Sequence, residues 1–203
     1  MKIHTVEYVG TLVDPSAPFP DALPQVAFAG RSNVGKSSLI NTILNRTRKK
    51  IAHVSATPGK TQALNFFRVN DEFLLVDLPG FGFAKVPMEV KGGWKALVEG
   101  YLARPDGPKA VVHLLDVRRD PTPEDVQMLE YLAKLGVPAL LVLTKVDKFS
   151  KSRKINRVRE LVKEFGLDPE QVVPFSSKTG EGRELLLGAL SDLLAQVESP
   201  EGA

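Results

Sequence analysis

The chain has 203 residues, a length that one hydrophobic core can serve. Hydrophobic residues at 43% and charged residues at 25% are ordinary globular composition, which excludes a disordered, collagen-like or low-complexity chain. Cysteine is absent, which excludes disulfides, thiolate metal sites and a cysteine nucleophile, and the net charge of +3 is compatible with nucleic acid without pointing to it.

In chain order, residues 3–9 are expected as an added edge strand, followed by a proline-rich connector, DPSAPFPDALP. Residues 1–24 therefore read as an N-terminal extension to a main domain over 25–197. QVAFA at 25–29 is a short apolar run bounded by Pro24 and Gly30 and reads as a strand. A helix over 36–44 places Leu39, Ile40, Ile43 and Leu44 on one face. Strands at 63–69 and 72–76 meet at Asn70-Asp71, too short a connection for anything but an antiparallel hairpin. AVVHLLD at 110–116 and PALLVLT at 138–144 are near-continuous apolar runs, the mark of central strands covered on both faces. A shorter strand follows at 172–175, and helical stretches fall at 88–103, 122–135, 151–165 and 182–197. Asp120 or Thr122, with Pro123 and Glu124, starts the 122–135 helix, and Gly136 stops it. Residues 198–203 read as a frayed tail. The alternation implies an α/β fold of three layers, with a mostly parallel sheet and one antiparallel edge hairpin. The longest apolar stretch, 137–143, falls short of the ~20 residues of a spanning helix, and MKIHTVEYVG lacks a signal-peptide core. The expectation is a cytoplasmic monomer without a membrane partner.

Ligands on such a sheet sit at the carboxyl ends of the strands, and four motifs fall there. GRSNVGKS, from Gly30 to Ser37, is GxxxxGK followed by serine, placed between a strand and a helix. Amides of Gly30, Arg31, Ser32, Asn33, Val34 and Gly35 can cradle phosphate oxygens, with Ser38 one residue beyond the motif. Lys36 adds a point charge toward the outer phosphates, and the Ser37 hydroxyl is a hard oxygen ligand suited to magnesium. A glycine turn with a stray lysine is the plainer alternative, and the strand-helix context argues against it. Asp77-Leu78-Pro79-Gly80 is the second motif, with an aspartate able to hold magnesium through water and a glycine N–H able to meet a terminal phosphate. Thr144-Lys145-Val146-Asp147 is the third: the Asp147 carboxylate can accept two N–H bonds from guanine, a donor pair adenine lacks. The lysine stem can lie along the base plane. The fourth is Ser176-Ser177-Lys178, preceded by Phe175, where a backbone N–H can reach the guanine carbonyl oxygen. Alone, each of the last three is an ordinary strand-ending turn.

In this order the motifs resemble the first, third, fourth and fifth motifs of the GTPase superfamily, over nearly the whole chain. GRSNVGKSSLIN, TPGKTQ followed by Asn65-Phe66-Phe67, DLPGFGFAKV and TKVDK resemble, more narrowly, the EngB (also YihA or YsxC) family of bacterial GTPases. The resemblance implies a Ras-like P-loop domain that binds GTP or GDP with magnesium. It places the second motif at Thr57–Gln62, where Gly59 and Lys60 adjoin the nucleotide and Thr61 is the switch threonine that binds magnesium beside Ser37. On this reading Lys36, Thr61 and Gly80 serve the reaction. The superfamily usually has asparagine where Thr144 stands, and the narrower family commonly has threonine. Many GTPases orient water with a glutamine where this chain has Phe81, so slow hydrolysis stimulated by a partner is implied. Related GTPases with an apolar residue there often use potassium, and Asn33 matches the asparagine that coordinates it. Trp94 matches a tryptophan of the family and reads most simply as packing.

Two basic runs stand out: Asn45 to Lys50, and Lys145 through Lys148, Lys151, Arg153, Lys154, Arg157 and Arg159 to Lys163. Either suits a phosphate backbone, although a solvated helix face is the plainer reading. The family resemblance implies a role in assembly of the large ribosomal subunit, with effects on division and septation. A regulatory GTPase on a division protein without RNA contact, and a nucleotide kinase, are the rival expectations.

Overall fold

In the computed structural model, residues 1–46, 51, 63–81 and 88–198 are described. Seven strands form one sheet: β1 (Val6–Leu12), β2 (Gln25–Gly30), β3 (Leu64–Val69), β4 (Phe73–Asp77), β5 (Ala110–Asp116), β6 (Ala139–Thr144) and β7 (Val172–Pro174). Their spatial order is β1-β3-β4-β2-β5-β6-β7. The β1-β3 and β3-β4 pairs are antiparallel and the other four parallel, so the antiparallel part is confined to one edge as expected.

The helices are α1 (Lys36–Ile43), α2 (Met88–Leu102), α3 (Pro123–Leu135), α4 (Lys151–Phe165) and α5 (Arg183–Glu198). Their ends follow from local chemistry. Thr122 and Asp125 form a capping box at the start of α3, and Gly136, with φ of 67°, ends it. Ser150 caps α4 through the Arg153 N–H, and Gly166 closes it. The β3-β4 hairpin turns on Asn70 (φ 53°) and Asp71 (φ 56°), the two positive values that a type I′ turn needs.

Each central strand is buried on both faces. Val26, Phe28, Val112, Leu114 and Val142 meet Leu39, Ile40 and Ile43 of α1 and Leu186, Leu187 and Leu190 of α5. Ala27, Ala29, Leu74, Val76 and Val111 meet Leu97 and Tyr101 of α2 and Met128 and Leu132 of α3. Leu141 and Leu143 of β6 pack with Leu161 of α4 in a third cluster. Phe66 lies fully buried in the second layer, with ring centroids of Phe19 and Tyr101 at 5.8 and 6.3 Å. Phe66→Ala is expected to cost about 3–5 kcal/mol and to lower Tm by about 10 °C, checked by thermal unfolding without nucleotide.

The edge strand begins three residues later than the sequence suggests. Asn70 accounts for this: its Oδ1 accepts from the N–H groups of His4 and Thr5, and its Nδ2 donates to the Lys2 carbonyl. The leading residues are thus tied by this side chain and by one main-chain bond, from the Asn70 N–H to the Thr5 carbonyl at 3.1 Å. The connector is docked on α2. The Arg104 guanidinium donates to the carbonyls of Pro15 and Ala17 at 3.0 and 2.6 Å and lies 3.7 Å over the Phe19 ring.

Candidate nucleotide site

The loop from Gly30 to Gly35 joins the end of β2 to the start of α1. A β-carbon at Gly30 would come within 3.1 Å of the Leu114 carbonyl oxygen, so this position tolerates only glycine without movement of β5. Asn33 (φ 64°) and Gly35 (φ 110°) take the left-handed turns that curl the chain back onto the first turn of α1. Lys36 follows, and its ammonium pairs with the Asp77 carboxylate at the end of β4; both side chains are about nine-tenths buried. Beyond Asp77 the chain runs beside the loop. The Ser32 N–H donates to the Phe81 carbonyl at 2.9 Å, and a β-carbon at Gly80 would meet Ser32 Oγ at 3.1 Å. The first two motifs therefore form one continuous wall. Leu78 is buried and its N–H donates to the Phe28 carbonyl, while Pro79 and Gly80 stay partly accessible.

The base end is assembled on β6 and β7. Thr144 is buried, and its hydroxyl donates to the Val34 carbonyl at 2.7 Å, with the Leu115 carbonyl at 3.1 Å. It thus ties the phosphate loop to the sheet. Lys145, at φ 62°, reaches back to the Asn33 carbonyl at 2.7 Å and to Asp116 Oδ2 at 3.0 Å. Asp116 also accepts from Arg118. Burial alone would raise the Asp116 pKa, but the hydrogen bonds from Arg118 and Lys145 outweigh it and hold the carboxyl far below the usual range. Asp116 and its clasp on Lys145 carry no signal in the sequence, where the aspartate only ends an apolar strand.

Asp147 sits in the short turn after β6 and accepts from the Ser176 hydroxyl at 2.8 Å. That hydrogen bond lowers the Asp147 pKa, partial desolvation opposes it, and Lys148 adds to the lowering. Ser176 also takes N–H bonds from Lys178 and Thr179. Phe175 is buried and anchors the turn through its N–H on the Leu143 carbonyl at 2.8 Å; Ser177 follows, partly accessible. The structure thus brings Gly30–Ser38, Asp77–Gly80, Thr144–Asp147 and Phe175–Ser177 to the carboxyl ends of β2, β4, β6 and β7. Gly59, Lys60 and Thr61, with the rest of Thr57–Gln62, lie outside the described residues, as do positions 47–50 of the first basic run.

Magnesium fits the donors present. Ser37, at the head of α1, offers a hydroxyl and Asp77 a carboxylate, the hard oxygens that ion prefers.

The long basic run is partly neutralised from within. Lys154 pairs with Glu181, Arg157 with Asp120 and Glu160, and Arg153 lies 4.0 Å over the Phe149 ring. Lys151, Arg159 and Lys163 remain exposed and make no ion pair among the described residues; helical spacing puts them in one stripe along α4. No helix among the described residues is long and apolar enough to cross a membrane.

A GxxxxGKS loop between a strand and a helix, with aspartates at the ends of β4 and β6 on the same edge of a doubly covered sheet, has the architecture of a P-loop GTPase. Known proteins agree. The 50S ribosome-binding GTPase family matches residues 25–145. The chain is 48% identical over 196 residues to the probable GTP-binding protein EngB of Gemmatimonas aurantiaca, covering 96% of this chain and 95% of the relative. Against the same protein of Syntrophus aciditrophicus identity is 51% over 187 residues, covering 92% and 94%. A crystal structure of a probable GTP-binding protein EngB superposes with a TM-score of 0.70 at 26% identity, covering 85% of this chain and 99% of the other. Era in complex with MgGDPNP and a 16S ribosomal RNA segment shares the fold, with a TM-score of 0.66 at 22% identity over 89% of this chain and 58% of that one. The chain belongs to the EngB family of GTP-binding proteins, as its motifs suggest.

Proposed function

We propose that this chain is a GTP-gated switch that docks on the large ribosomal subunit or its precursor through ribosomal RNA, leaves after hydrolysis, and thereby supports division and septation. The observation that carries the switch is the bond from the Ser32 N–H to the Phe81 carbonyl: the segment after β4 rests on the phosphate loop, where a γ-phosphate can hold it and its loss release it. Lys36 and the loop amides hold the phosphates; Ser37 and Thr61 would hold magnesium, with Asp77 reaching it through water, and the ion would neutralise phosphate charge when bound. Water attacks the γ-phosphorus, its bond to the bridging oxygen breaks, and GDP and phosphate leave. Phe81 offers that water no hydrogen bond and is buried between Trp94 and His113, which supports slow intrinsic turnover and stimulation by a partner.

Potassium, held at Asn33, is the expected stand-in for a missing catalytic cation. Turnover is expected to be several-fold faster in potassium than in sodium chloride at equal ionic strength, and equal rates exclude the ion. The exposed stripe of Lys151, Arg159 and Lys163 supports an RNA-facing surface, as does the ribosome-binding character of the matched family. The test is pelleting with large ribosomal subunits, comparing a non-hydrolysable GTP analogue with GDP across a salt series. Co-sedimentation with the analogue alone, falling as salt rises, is expected. No co-sedimentation in either state turns the reading to a division protein as partner.

A further inference from the structure

Trp94 is the chain's single tryptophan, and its half-buried indole Nε1–H donates to the Pro79 carbonyl at 2.8 Å. That carbonyl belongs to the same peptide unit as the Gly80 N–H. In a planar trans peptide the C=O and N–H point in opposite directions, so a bond that fixes one fixes the other. The ring is held in turn. Its centroid lies 5.5 Å from that of Phe81, and Phe81 stacks on His113 at 5.9 Å with 22° between the planes. His113 Nε2 lies 3.0 Å from Asp125, whose other oxygen accepts from the Thr122 N–H at 2.8 Å at the start of α3. The indole is thus braced through Phe81 on His113 of the central strand β5, and its one polar atom is spent on the turn that carries Gly80.

We propose that Trp94 is a positioning residue: by holding the Pro79 carbonyl it aims the Gly80 N–H at the γ-phosphate and so favours nucleoside triphosphate over diphosphate. This rests on the reading that Gly80 is the γ-phosphate contact. A packing role alone would leave the choice between GTP and GDP unchanged, because the diphosphate has no group at that position.

The test compares equilibrium affinities for a non-hydrolysable GTP analogue and for GDP in the full chain, in Trp94→Phe and in a chain whose Pro79–Gly80 amide is exchanged for an ester by incorporating glycolic acid at position 80. Phenylalanine keeps a ring against Phe81 and removes the donor. Trp94→Phe is expected to weaken the analogue about 3- to 10-fold and to leave GDP within about twofold. An unchanged ratio, or equal weakening of both nucleotides, overturns the proposal. The ester at position 80 removes the N–H and adds no side chain, so it separates the two levels. If it shifts the ratio and Trp94→Phe does not, only the role of Trp94 fails; if neither shifts it, the Gly80 reading fails. Because the tryptophan is single, global replacement by benzothienylalanine, which exchanges the N–H for sulfur and keeps the ring shape, gives the same ratio to measure should Trp94→Phe fail to fold.

Discussion

Asp147→Asn is expected to weaken GTP and GDP binding by about 100-fold or more while xanthine nucleotides gain affinity. The carboxylate offers two acceptors to the two N–H groups on one edge of guanine. An amide offers one acceptor and one donor, so its NH2 faces the guanine amino group, donor against donor. Xanthine carries a carbonyl there and restores the match. Asp147 is poised as an ionised acceptor, because the Ser176 hydroxyl donates to it at 2.8 Å and holds its pKa below the ordinary carboxylate value. Asparagine can still accept that bond, so folding should survive and the effect should fall on base choice. Competition of GTP, XTP and ATP against a fluorescent guanine nucleotide measures it. Unchanged GTP affinity would mean that Asp147 does not face the base.

Lys36→Met should lower single-turnover GTP hydrolysis by about 100- to 1000-fold. Methionine keeps much of the apolar stem and removes the ammonium that sits between the phosphate loop and Asp77. Developing charge on the transferred phosphoryl group then lacks its fixed counter-charge. The variant also leaves the Asp77 carboxylate without its ion partner, so a lower Tm of the nucleotide-free chain accompanies the kinetic loss. Phosphate release from a preformed complex, at nucleotide concentrations high enough to saturate the variant, separates chemistry from binding. A rate within about threefold of the parent would contradict a catalytic Lys36.

Most of the architecture was legible because its determinants are local. The apolar runs of β5 and β6 announce strands covered on both faces, Thr122 with Pro123 and Gly136 bracket α3, and Asn70-Asp71 closes the hairpin. The gathering of the Gly30–Ser37 loop and the three shorter motifs at one end of the sheet was legible for a related reason, since each motif is a few consecutive residues that end a strand. What stayed hidden depends on residues far apart in the chain. Thr144 holds Val34 from 110 positions away, which no spacing rule reveals; the sequence offered it as a base-side residue, and its hydroxyl is engaged by the loop. Arg104 clamps the connector at Pro15 and Ala17 through carbonyls that any residue carries. The basic face of α4 looked uniform in sequence, yet Asp120 and Glu181, from outside that helix, neutralise part of it. The late start of β1 has the same origin, a side chain from the hairpin capturing residues 2–5.

That the four strand ends make one guanine-nucleotide site is tested most directly by equilibrium titration of the purified chain with GDP, a non-hydrolysable GTP analogue and a non-hydrolysable ATP analogue, with magnesium and with chelator. The guanine nucleotides should bind at one site per chain, the ATP analogue at least about 100-fold more weakly, and the chelator should weaken the triphosphate. Equal affinity for the adenine and guanine analogues would contradict a base pocket built on Asp147 and the Ser176 turn.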